Sequence, residues 1–270
     1  MEVNALISRH NEAKDLFIAC NIGNLPNVQG FIRLNNISQN IINEALWISC
    51  ARNYLDITKY LISEGADIHA NDDYALYVAC FDGNILIVQY LISIGSNVNA
   101  YSSQRNTRNP FITACAYDKV EVVKYLLTVG ANIHMDDDDA LLLAAKNNYL
   151  STVQCLLAAG ANVHAQYDGS IGWASMKGYT DMCGCLLAAG ADISRISWEG
   201  FDKSAKNYMM QFIRKQHFKK LPNSIKPIWI RHNLRTHLRL RRWLDIVRTR
   251  LESPPRVLCG KSHPTRDDII

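Results

Sequence analysis

Four groups of residues in this 270-residue chain have types that could do chemistry. They are the cysteines Cys20, Cys50, Cys80 and Cys115, the histidines His69, His134 and His164, the run Asp136 to Asp139, and the arginine-dense stretch RHNLRTHLRLRRWL (231–244). Thiols and imidazoles could hold zinc, clustered carboxylates calcium, and arginines phosphate.

Spacing decides against most of this. Cys20, Cys50, Cys80 and Cys115 lie 30, 30 and 35 residues apart, and the next two places at that register hold Ala145 and Ser175. A position that accepts Cys, Ala or Ser asks for a small side chain at a close helix contact. These thiols are expected to be free core residues, and Cys183 and Cys185 form a lone CxC without a second ligand pair. The histidines share their place with Asn99 and Ser194, and packed elements about 10 Å apart set them too far from one another to share a metal. They are expected to be turn residues hydrogen-bonded to the backbone. The aspartate run lacks the glycine and the final glutamate of a calcium loop. Asp72 and Asp73 fill the same slot in an earlier stretch, directly before a helical pattern, where aspartate caps free N–H groups and leaves an exposed acidic strip. There is no glycine-rich phosphate loop, nucleophile elbow or His–Glu zinc motif. The expectation is a non-enzyme with no cofactor, metal or small-molecule substrate.

The elements that position these residues come from a repeat. YLISEGADIHA (60–70), YLISIGSNVNA (90–100), YLLTVGANIHM (125–135), CLLAAGANVHA (155–165) and CLLAAGADISR (185–195) place glycines at 65, 95, 130, 160 and 190. Upstream of each stands a second matched block, such as DYALYVACFDG or DDALLLAAKNN. A weaker copy at 15–40 puts Asn35 or Asn36 where the glycine belongs, which makes six units. Each unit predicts two short helices. Leu76, Ala79 and Cys80 share one apolar face, and Ile85, Val88, Tyr90, Leu91 and Ile92 form a second, with Gly83 and Gly95 at helix ends. A single pair cannot bury its own apolar side, so neighbours must stack into a solenoid.

The wording of the units resembles the ankyrin repeat over about residues 12 to 195, through its A-L-x-x-A-[AC] first helix, V-x-[YC]-L-[LI] second helix and G-A-[DN]-[IV]-[HN]-A finger. The expected fold class is therefore an all-α ankyrin-repeat solenoid of about six helix-turn-helix units with a C-terminal basic helical extension. Two departures stand out. The family's T-P-L-H start is replaced by Tyr74-Ala75-Leu76-Tyr77, and most units are 30 residues where the family uses about 33. The shortfall lies between Ala70 and Leu76 and implies a shortened β-finger. Arrays of this Asn-, Ile-, Tyr- and Asp-rich style also resemble the ankyrin families of giant DNA viruses such as mimivirus.

That resemblance implies a protein-interaction scaffold whose unidentified protein partner meets the finger tips and the end of each first helix. Carried over position by position, the surface comprises Asp72, Asp73, Phe81 and Asp82, then Ala116 and Tyr117, then Asp137, Asp138, Lys146 and Asn147, then Tyr167, Asp168, Met176 and Lys177. Exposed Phe81, Tyr117 and Met176 beside charges would make an anchor with a polar rim. The longer 35-residue step falls in YSSQRNTRNP (101–110), which offers Tyr101, Arg105 and Arg108 as contacts or is a tolerated loop insertion.

Charge separates two regions. Residues 1–200 hold 12 Lys and Arg against 20 Asp and Glu, net −8, while 201–270 hold 17 against 5, net +12. The expected division is a repeat solenoid at 1–200, a capping helix at 201–220, and a basic helical extension and tail at 221–270. In the extension Arg231, Arg235, Arg239 and Arg242 share one helical face. It would serve as a cap, or bind nucleic acid, an anionic membrane or an acidic protein. Leu221-Pro222 with Ile225 is similar to the opening of the F-box-like segments that end poxvirus ankyrin proteins, which would imply ubiquitin-ligase machinery as a partner. The chain has no run of about 18 apolar residues, and Glu2, Arg9 and Glu12 interrupt any apolar signal core, so it is expected inside a cell, in the cytoplasm, or the host cytoplasm if viral.

Overall fold

The computed structural model describes residues 13–35, 37–101 and 109–192, with Asn207. Apart from Asn207, the segments 201–220 and 221–270, with their arginines, lie outside the described residues, as do Asn36, Arg105 and Arg108. Residues 13–22 form helix α1. It is followed by α2 (Leu25–Leu34), α3 (Gln39–Ala51), α4 (Leu55–Ser63), α5 (Ala70–Asp82), α6 (Ile85–Ser93), α7 (Pro110–Ala116), α8 (Val120–Thr128), α9 (Asp139–Lys146), α10 (Leu150–Ala158), α11 (Ala165–Met176) and α12 (Thr180–Ala188). The six expected units are therefore helix pairs, and no strand occurs among the described residues.

The odd-numbered helices stack in succession, α3 on α5, α5 on α7, α7 on α9 and α9 on α11, and the even-numbered ones form a second layer against them. The core repeats as the sequence does. Leu46, Leu76, Phe111, Leu141 and Ile171 occupy one rung position, and Leu61, Leu91, Leu126, Leu156 and Leu186 another, all buried. Each such side chain contributes about 1.5–3 kcal/mol on burial, so stability accumulates rung by rung.

Short links make the pairs antiparallel. Gly83 ends α5 at φ 85°, a left-handed position that Asn53, Asp118 and Asn148 also fill at positive φ in other units, and a Cβ at 83 would make the flexible Lys119 side chain shift from 2.8 Å. The next residue joins neighbouring units: Asn84 Nδ2 donates to the carbonyls of Cys50 (2.7 Å) and Ala51 (3.0 Å), filling orphan acceptors at the end of α3. Pro110 opens α7, and Asn109 Oδ1 accepts from the Phe111 N–H at 2.8 Å. In the first unit Asn35 is extended at φ −122°, so it does not take the glycine's left-handed role.

The G-A-[DN] finger has a specific chemistry. The Oδ1 of Asp67, Asn97, Asn132 and Asn162 accepts the N–H two residues on, at 2.9 to 3.0 Å, a local Asx turn. The backbone N–H of the same finger residue then points inward. Asn97 donates to Asp73 Oδ1 (3.0 Å), Asn162 to Asp138 Oδ1 (2.9 Å), Asp192 to Asp168 Oδ1 (2.8 Å), and Asp67 to Asn43 Oδ1 (2.8 Å). In the unit with the longer step Asn99 takes over, accepting the Asn132 N–H at 2.8 Å. A buried carboxylate or amide thus staples the start of a unit to its end.

These staples correct two expectations. Asp138 does not cap the helix it precedes: it stands at the N-cap of α9 without a side-chain bond to that helix, and its carboxylate serves the distant finger. The histidines use their rings as well as their backbone. His69, His134 and His164 Nδ1 lie 3.2, 3.1 and 2.9 Å from the carboxylates of Asp73, Asp138 and Asp168.

In place of a β-finger stands a left-handed turn. Asn71–Asp73, Asp136–Asp138 and Gln166, Tyr167 and Asp168 all have φ between 51° and 59°. Asn and Asp tolerate this conformation better than other side chains, which explains why aspartates crowd this slot. Tyr167 does not share that tolerance.

Two outcomes follow. Asp138→Ala leaves the Asn162 N–H without its acceptor and is expected to lower unfolding free energy by about 2 kcal/mol, with Asp138→Asn much milder, as measured by urea denaturation. Tyr167→Asn is expected to raise it by about 1 kcal/mol in the same assay.

Candidate interaction surface

Five aromatic side chains run in an unbroken line across three units. Trp47 of α3 meets Tyr74 of α5 edge-on at 4.9 Å between centroids, Tyr74 stacks on Tyr77 at 5.4 Å, Tyr77 lies 6.5 Å from Phe81, and Phe81 meets Tyr117 at 4.3 Å. Tyr74, Tyr77 and Phe81 lie three and four residues apart on α5, which sets them on one face of that helix. Trp47 and Tyr117 extend the line from the helix before and the turn after α7. Phe81 is 36% and Tyr117 49% exposed, while Trp47, Tyr74 and Tyr77 are half-buried. Two units further on, Lys146 Nζ stands 4.4 Å over the ring of Trp173.

Of the residues expected at a binding surface, the structure brings Phe81 and Tyr117 into direct contact. Asp72, Asp82, Tyr101, Asp137, Lys146, Asn147, Met176 and Lys177 are exposed, and Tyr167 stands out at 86%. Asp137 also accepts from the Gln166 N–H at 2.9 Å, joining successive turns. Asp73, Asp138, Asp168 and Ala116 are corrected: they are buried, the three aspartates because their carboxylates are committed to the staples. Arg105, Arg108, Arg231, Arg235, Arg239 and Arg242 lie outside the described residues. Trp47, Tyr74, Tyr77 and Trp173 were not foreseen. The i, i+3, i+7 spacing of Tyr74, Tyr77 and Phe81 was the available signal, masked by carrying over only the end of the first helix.

Four carboxylates stand close in sequence to these aromatic residues. Glu44 on α3, Asp72 on the left-handed turn, Asp82 after Phe81 and Asp118 after Tyr117 are all exposed. Burial raises the Asp82 carboxyl above its ordinary range, and Lys119 and Arg52 draw it back down. Asp118 accepts the Thr152 hydroxyl at 2.7 Å, which ties it to the next unit.

The four cysteines at the shared register are buried, not poised as thiolates. Cys20, Cys50, Cys80 and Cys115 are free and buried, and Ala145 and Ser175 at the same register are buried too, as a demand for small core side chains requires. Burial pushes the thiols of Cys20 and Cys50 up to about 12 and raises those of Cys80 and Cys115 likewise. Among the described residues no three His, Cys, Asp or Glu side chains converge as metal ligands, and no helix is long and apolar enough to cross a membrane. Raised thiol values favour the fold while the thiols stay protonated. That stability is present below pH 9.0, the ordinary thiol value, and is lost as pH climbs toward 12. Native protein at pH 8 is expected to leave these four thiols unreactive toward a disulfide reagent that titrates them all in urea, and thermal stability is expected to fall steadily above pH 9.

A family model described as ankyrin repeats (3 copies) matches residues 16–102, 76–167 and 114–197. A search of the curated proteins found no match for the chain. The family matches together run from residue 16 to 197 of 270, and with the stacked helix pairs they show that this chain belongs to the ankyrin repeat family.

Proposed function

We propose that this chain works as a non-catalytic interaction scaffold that holds a protein partner against the aromatic line from Trp47 to Tyr117, with Tyr167 as a second contact. Ankyrin repeats in general are protein–protein interaction modules and are typically without catalytic activity. The observation that supports the specific surface is the line itself. A folded chain that needed those rings only for its core would bury them, yet Phe81 and Tyr117 face solvent while touching each other. Aromatic side chains carry a large share of interface energy, and charged neighbours supply a rim. Tyr167 adds a backbone reason. It is held at φ 57° with 86% of its surface exposed, a conformation that costs energy and contributes nothing to the core. The working place of the scaffold is the cell interior, host cytoplasm if the chain is viral.

The test is affinity capture on the full chain. Proteins retained by the wild type are expected to be lost from the Phe81→Ala/Tyr117→Ala variant, whose affinity falls at least about thirtyfold if each ring contributes on the scale of an interface anchor. They are expected to be kept by Leu86→Ala, which removes an exposed apolar side chain from the other layer. Equal retention by both variants would contradict the proposal.

A further inference from the structure

We infer that the fourth helix pair, α7 with α8, is the soft unit of the array, opening before its neighbours, and that the contact between Phe81 and Tyr117 is the latch that holds it to the third pair. Both rings belong to the proposed surface, so the inference concerns how that surface is regulated and rests on that reading for its role.

The first support is how each finger is closed. Among the described residues four finger N–H groups meet a buried acceptor 24 residues earlier, Asn43 for Asp67, Asp73 for Asn97, Asp138 for Asn162 and Asp168 for Asp192. Asn132, which closes the fourth pair, does not. Counting 24 back from it reaches Arg108, which lies outside the described residues and whose side chain carries no acceptor. Its N–H goes instead to Asn99 Oδ1 at 2.8 Å, and Asn99 Nδ2 donates to the Gly130 carbonyl at 3.2 Å, both in exposed bonds. Water competes for such bonds, so they close a finger less firmly than a buried carboxylate does. Asn99 also takes the place that His69, His134 and His164 hold in other units, so the ring-to-carboxylate contact of those units has no counterpart at that position.

The second support lies at the entry to the pair. Ala66, Ala131, Ala161 and Ala191 follow their finger glycines, and Ser96 takes that place ahead of the fourth pair. Its hydroxyl is buried and has no hydrogen-bond partner among the described residues. A buried hydroxyl left unsatisfied costs stability that an alanine would not.

The apolar core is not the weak part, since Phe111, Ile112, Val122, Val123 and Leu126 are buried like their counterparts. What sets the pair apart is its closure. At the other end of its helices, away from the finger, Tyr117 meets Phe81 of the third pair at 4.3 Å between centroids, and the Lys119 side chain lies beside Gly83. Opening the pair parts the two rings, so a partner that covers both holds the unit shut.

Native-state hydrogen exchange on the full chain tests this at Leu91, Leu126 and Leu156, which fill the same buried rung in the third, fourth and fifth pairs. The Leu126 amide is expected to exchange about tenfold faster than the other two. Asn99→Ala and Phe81→Ala are each expected to quicken Leu126 severalfold further while leaving Leu156 within about twofold, and Ser96→Ala to slow Leu126 severalfold. Exchange at Leu126 as slow as at Leu91 and Leu156 would overturn the soft unit. Equal acceleration of all three leucines by Phe81→Ala would reduce the ring contact to general stability and overturn the latch, as would no change at Leu126. Because the free chain is measured, the result is separate from partner capture: if Leu126 behaves as expected while Phe81 and Tyr117 prove dispensable for capture, the soft unit stands and the proposed surface falls.

Discussion

The structure depends on a buried acceptor meeting a backbone N–H 24 residues away in sequence. Asp73, Asp138 and Asp168 hold the finger N–H groups of Asn97, Asn162 and Asp192, and Asn43 does the same for Asp67. A carboxylate buried without partners would cost several kcal/mol, so its place is tolerable only while finger N–H and histidine ring both face it. The finger in turn has no strand partner, and its backbone donor would be orphaned without the carboxylate. Each group solves the other's desolvation problem, and the solution recurs unit by unit.

The left-handed turn follows from the same constraint. To aim a carboxylate inward immediately before the first helix, the chain must reverse within three residues, and it does so with three consecutive positive φ values. Units of 30 residues are short because this turn replaces a longer finger. Where 35 residues separate the units, Asn99 and Asn109 share the work of finger bonding and helix capping. The turn also fixes where each first helix begins, and so which face of α5 carries Tyr74, Tyr77 and Phe81.

Much of the fold was legible in the sequence because glycine positions and helical apolar spacing repeat at one period, and small residues at the cysteine register mark a close contact. The aspartates were legible as important and misread in role. Asp136 to Asp139 before a helix has the composition of a cap, and only the fold reveals that the bond runs to a finger distant in sequence. The His-x-x-x-Asp pairs were open to reading at His69 and Asp73, His134 and Asp138, and His164 and Asp168, since a shared spacing of four in three units signals contact. Phe81 and Tyr117 were singled out by carrying over the end of the first helix, and the structure sets their rings in contact. The ring contacts of Trp47, Tyr74 and Tyr77 were not legible because the line crosses three units, and no single repeat contains it.

Amide hydrogen exchange followed by NMR at Asn97, Asn162 and Asp192 tests the buried staple most directly. Those N–H groups sit in turns, where an amide open to water exchanges quickly, but the carboxylates should hold them until the neighbouring helices unfold. Protection matching that of core amides such as Leu91 and Leu156 is the predicted result. Exchange as fast as an unbonded surface turn would contradict it, and would show that the fingers, and the surface they help to set, are held by something other than the buried aspartates.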